Sequence, residues 1–69
     1  MTPVHVRHDA RGAWEVVLPG APRACRIGCE TLAEAERVGC RWASAHPPSE
    51  LIVHDAYHRV VLRRSFRVS

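Results

Sequence analysis

A chain of 69 residues has room for one small domain, and a domain of that size buries only about 60% of the surface its unfolded form exposes. Its 46% apolar and 25% charged residues exclude the low-hydrophobicity, high-charge regime of disorder, and no apolar run reaches the roughly 20 residues that span a bilayer. The formal charge is +3 and all ten cations are arginine, which admits nucleic acid as a partner without singling it out.

The N-terminal residues Met1-Thr2-Pro3-Val4-His5 lack the charged and apolar regions of a signal peptide. Three cysteines cannot all pair within one chain, so reduced thiols and a cytoplasmic setting are expected. Val4 to His8 alternates apolar and polar residues with the period of a half-buried strand. Asp9-Ala10-Arg11-Gly12 then supplies a turn, with glycine where a left-handed backbone is needed. Residues 13–18 form the returning arm, with Trp14, Val16 and Leu18 on one face and Glu15 and Val17 on the other. Pro19-Gly20-Ala21-Pro22 ends it, because the Pro-Gly pair marks a turn and proline donates nothing to a ladder. Residues 23–29 admit a third strand, with Ala24, Arg26 and Gly28 on one side and Cys25, Ile27 and Cys29 on the other.

Thr31 and Glu34 have the spacing of a capping box, in which the Thr31 hydroxyl takes the Glu34 amide and the Glu34 carboxylate reaches back. A helix over residues 32–46 follows, with Ala35, Val38, Gly39, Trp42 and Ala43 on its apolar stripe and Glu34, Arg37, Arg41 and Ser44 on the wet side. Gly39 on that stripe costs about 1 kcal/mol in helix propensity, a sign of close approach to a neighbouring element. Pro47-Pro48 stops the helix. Residues 50–54 form a compact apolar strand, Asp55-Ala56-Tyr57-His58 a turn, and residues 59–67 a last strand.

The order is ββ(β)αββ, a single α+β domain with a four- or five-stranded, antiparallel-rich sheet and one helix packed on one face. Such a sheet is roughly 20 to 24 Å wide, whereas a helix with its side chains covers about 10 to 12 Å. One face and part of the other must stay open. If Trp14, Val16, Leu18, Leu51, Val53, Val60 and Leu62 meet the helix, then Val17, Ile52 and Val61 lie on the open face with Glu15, Arg59, Arg63 and Arg67.

Trp14-x-Val16, Thr31-x-x-Glu34-Ala35, Ala43, Glu50-Leu51-x-Val53-His54 and Arg64-Ser65-Phe66 together resemble the small bacterial family known as domain of unknown function 2188, over nearly the whole chain from Val4 to Phe66. The resemblance implies the fold just described and carries no activity. Members of that family commonly have glycine in the last hairpin turn, where this chain has His58, so a different turn or a strained one is expected.

No catalytic constellation emerges. Cys25-x3-Cys29 with His54-x3-His58 imitates a zinc ligand set, but four strand steps hold the two thiols about 13 Å apart. Cys40 has no base beside it, the five histidines are scattered, and Asp9, Asp55 and Glu34 are accounted for by turns and a cap. No metal, cofactor or enzymatic activity is therefore expected. A protein-interaction or self-assembly module is expected instead, as a homodimer or with another protein, using Val17, Ile52 and Val61. The alternative is a phosphate-led nucleic-acid binder gripping through Arg59, Arg63 and Arg67, without the exposed aromatic platform of RNA-recognition sheets.

Overall fold

The structure is a computed structural model that describes residues 1–20 and 25–68. Its elements are β1 (Thr2–His8), β2 (Trp14–Leu18), β3 (Cys25–Cys29), α1 (Leu32–Ala45), β4 (Ser49–His54) and β5 (Val60–Phe66). Residues 25–29 of the expected third strand do pair, whereas Arg23 and Ala24 lie outside the described residues. The five strands form one sheet in the order β3-β2-β1-β4-β5.

All neighbours are antiparallel except β1 and β4, which run parallel with Val4 opposite Leu51 and Val6 opposite Val53. This pair joins the two hairpins. The crossover through α1 brings β4 back beside β1 in the same direction, which a tight turn cannot do. Both central strands place apolar side chains toward the helix, and Val4, Val6, Val16, Leu51 and Val53 are at most 1% exposed.

Thr31 caps α1 in extended backbone, its hydroxyl accepting the Glu34 amide at 3.1 Å. Glu34 returns the bond by accepting the Glu30 amide at 3.3 Å, one residue before the cap. At the other end the His46 ring nitrogen lies 2.8 Å from the Trp42 carbonyl. A cis peptide joins Pro47 to Pro48, and the hydroxyl of fully buried Ser49 donates to the His46 carbonyl.

The helix packs against β1, β2, β3 and β4 through Ala35, Gly39 and Ala43. A Cβ added at Gly39 would lie 2.6 Å from Leu51 Cδ1, 3.5 Å from Val6 and 3.6 Å from Val4. The absent side chain at residue 39 is what seats the helix on the central strands.

One expectation is corrected. Val60 and Leu62 do not join the core: they are 44% and 43% exposed, Leu62 because β5 lies at the sheet margin away from the strands that α1 covers, and Val60 because a bulge at Val61 pairs it with His54 on the face away from the helix. The helix side of β5 is covered instead by Arg64, opposite Leu51. Its guanidinium sits 5.3 Å from the Phe66 ring centre and sends Nη1 to 3.9 Å from Cys40 Sγ on the helix. An arginine between apolar neighbours thus spreads its stem over apolar surface with its charge outward.

Gly39→Ala should lower stability by about 1 kcal/mol, since overpacking of about 1 to 3 kcal/mol exceeds the helix-propensity gain of about 1 kcal/mol. In a Leu51→Val background, which lacks the δ carbons, the same substitution should stabilise. Urea denaturation of the four proteins checks this reversal of sign.

Candidate functional site

Strand alternation puts Pro3, His5, Arg7, Glu15, Val17, Arg26, Glu50, Ile52, His54 and Arg63 on the face away from the helix. The register aligns Arg26, Val17, His5, Ile52 and Arg63 in one row across all five strands. Val17 and Ile52, expected as contact residues, therefore flank His5, and both are half-buried.

Val61 is placed differently. Val53 pairs with Leu62 and His54 with Val60, so Val61 is the extra residue of a β-bulge. It is 60% exposed at the outer margin of the sheet, away from the Val17 and Ile52 row. With Val60 and Leu62 it forms an exposed apolar stretch on a strand that has a neighbour on only one side. A strand in that position leaves alternate backbone N–H and C=O groups free to pair.

The three arginines expected to line one face are not equivalent. Arg59 lies in the turn before β5, with Nε donating to Asp55 at 2.9 Å. Arg63 is on the open face and approaches Glu50 at 3.7 Å. Arg67 follows the end of β5 and is exposed. The bulge at Val61 takes Arg59 out of the alternation that would have aligned it with Arg63.

Sequence reasoning scattered the histidines over three regions, yet the parallel pairing of β1 with β4 collects three of them. His5 Nδ1 and His54 Nε2 are 2.9 Å apart, with rings stacked at 5.2 Å and an interplanar angle of 20°. Together with Arg7 and His58 they line a hollow of about 300 Å³. Arg7 is steadied by Glu15, directly opposite on β2, through a bond of 2.7 Å from Nε. Burial, then His54 and Arg7, holds the His5 pKa below its usual value, with Glu50 opposing them. The pair's hydrogen bond needs one ring to donate and the other to accept, so two imidazolium ions cannot make it.

His58 reaches the hollow from a turn with an unusual backbone. In the first hairpin Asp9 Oδ1 accepts the amides of Arg11 and Ala13 at 2.8 and 3.0 Å, the Asp9 carbonyl accepts the Gly12 amide, and Gly12 has φ +85°. The second hairpin repeats the pattern: Asp55 Oδ1 accepts the amides of Tyr57 and Arg59 at 2.8 and 2.9 Å, and the Asp55 carbonyl accepts the His58 amide. His58 occupies the glycine position at φ 63°. The turn is therefore the same one, held in a left-handed conformation by a residue with a Cβ, as the departure at His58 foreshadowed. The shared Asp-Ala start of the two turns was the signal available in the sequence.

The imitation zinc set is not brought together. Cys29 is buried on the helix side, where burial and then Glu34 raise its pKa, and Cys25 is exposed at the far end of the same strand. His54 and His58 lie at the open-face hollow. Among the described residues no group of three or more His, Cys, Asp or Glu side chains has metal-holding geometry, and no helix is long and apolar enough to cross a membrane. No family model matches the chain, and no curated protein or solved structure matches it.

Replacing His58 by glycine should raise stability by about 0.5 to 1 kcal/mol, the relief of left-handed strain less glycine's added freedom in the unfolded chain. Gly12→Ala at the equivalent position should lower it by about 1 kcal/mol, both read from urea midpoints. A pH effect follows from His5. Between its lowered folded value and the unfolded value near 6.5, the folded chain binds fewer protons than the unfolded one, so stability falls as pH drops through that window. His5→Asn should flatten this dependence in urea midpoints taken from pH 7.5 to 5.

Proposed function

We propose that the protein is a non-enzymatic interaction module whose docking element is β5, which accepts an extended segment of a protein partner as a sixth strand. The observation that carries this reading is the exposure of β5: every residue from Val60 to Ser65 is exposed, and three of them are large and apolar. Added strands gain main-chain hydrogen bonds along a free edge and specificity from alternate side chains. Val61 then contributes to the docking strand itself, Ile52 lies beside it on the open face of β4, and Val17 lies farther along the same row on β2.

The chemistry of the strand favours an acidic partner. Arg64 lies within β5 and Arg67 follows it, neither in an ion pair among the described residues, while Arg63 faces Glu50. Two copies paired antiparallel over the whole of β5 would set Arg63 against its own copy, and like charges directly opposite are destabilising. A protein partner also has more support than nucleic acid. Arg59 and Arg63 already face Asp55 and Glu50, so a phosphate backbone would have to displace two carboxylates to recruit them. The free state of Cys25, Cys29 and Cys40 suits a cytoplasmic setting, and kinship with the domain of unknown function 2188 family is part of the same proposal.

The test uses the whole chain, labelled for amide spectra, and two capped hexapeptides that alternate valine with glutamate or with lysine. The glutamate peptide should shift amides within residues 60–66 and slow their hydrogen exchange, and the lysine peptide should leave them unchanged. Sedimentation should give a monomer. A dimer would assign the strand to a second copy, and no response to either peptide would dismiss β5 as a docking element.

A further inference from the structure

We propose that the open-face hollow lined by His5, Arg7, His54 and His58 is a binding site for a phosphate dianion, free or as the terminal group of a monoester. The site is independent of strand addition at β5. All four lining side chains offer nitrogen donors once the imidazoles are protonated, and among the described residues no carboxylate lines the hollow. The neighbouring acids are engaged elsewhere, Glu15 on Arg7 Nε, Glu50 facing Arg63, and Asp55 accepting from Arg59 and the amides of its turn. Because Glu15 takes only Nε, the terminal nitrogens of Arg7 remain for a ligand, in the planar fork that suits phosphate oxygens.

Two features of the site and one of the ligand converge on an anion of double charge. His5 and His54 bring ring nitrogens to 2.9 Å and share one hydrogen bond, so a second proton on the pair would set two positive rings side by side, a charge that an anion seated against them offsets. A phosphate monoester carries about −1.5 to −2 near neutral pH and has oxygens enough to accept from both rings. The third fact is His58, which keeps a side chain at φ 63° where its counterpart Gly12 has none. Strain of this kind gathers where a side chain is needed, and the imidazole of His58 lines the hollow.

Ligand and protons are thereby linked. Binding favours protonated rings and a dianionic ligand together, so for a monoester, whose second pKa is about 6, affinity rises as pH falls from 7.5 until the ligand itself takes up a proton, and the ligand opposes the acid destabilisation set by His5 with its neighbours His54, Arg7 and Glu50. Val17 and Ile52 flank His5 in its row and carry no charge.

The experiment records imidazole nitrogen shifts of the full chain at pH 6.0 and 7.5, at constant ionic strength, during titration with inorganic phosphate, phosphoserine or the monoanion dimethyl phosphate. The expected result is saturable shifts of His5 and His54 with the first two ligands, stronger at pH 6.0 for phosphoserine, about half of which is still dianion there, and weakened about tenfold in His58→Gly, the loss of one charge-assisted hydrogen bond. That variant is expected to be the more stable protein, which separates lost binding from lost folding. At pH 7.5, where both are largely dianions, a tighter response to phosphoserine than to phosphate assigns the ligand to monoesters, and equal responses assign it to the free ion. Shifts that fail to saturate, that match those with dimethyl phosphate, or that persist unchanged in His58→Gly overturn the proposal.

Discussion

The seat of α1 on the central strands governs what this small domain covers and what it leaves bare. Gly39 lets the helix descend onto Leu51, Val4 and Val6, so the deepest packing lies over β1 and β4. From there α1 reaches across β1 to β2 and β3, and β5 is left at the opposite margin. A helix about 10 to 12 Å across cannot serve five strands spaced about 4.8 Å apart. The exposed apolar residues of β5 thus follow from the side to which α1 leans, over β2 and β3 and away from β5.

The parallel β1–β4 pair has a second consequence on the far side of the sheet. Antiparallel hairpins gather residues close in sequence, whereas this pairing brings His5 against His54, 49 positions away. Arg7 extends the cluster along β1, and the turn after β4 returns His58 to it. One topological decision therefore builds both the buried layer of valines and leucine on the helix side and the nitrogen-rich hollow on the other.

Much of the fold was legible. The Thr31–Glu34 cap, the double proline and the alternation around each Asp turn are local signals, and local chemistry sets them. The width argument, which uses only spacings, foresaw that a single helix leaves the sheet partly uncovered. Which strand goes uncovered was not legible, because it depends on strand order, and the alternation of Val60 and Leu62 does not disclose the bulge at Val61 that turns Val60 to the other face. Arg64 was the one discordant residue in that pattern, and its reach to Phe66 and Cys40 marks the margin of the core. The histidine cluster was hidden for the same reason, since no sequence spacing encodes a parallel register. The strain at His58 was visible as a missing glycine, but its meaning emerged only with His5 and Arg7 beside it.

The measurement that tests the account most directly is amide hydrogen exchange of the isolated chain at low concentration, resolved by residue. Val4, Val6, Leu51 and Val53 should exchange only through global unfolding, while the amides of residues 60–66 should divide into free outward ones that exchange fast and paired ones that open at lower free energy. Uniform protection of β5 at the level of β1 and β4 would contradict the account, since it would mean that the edge is already covered.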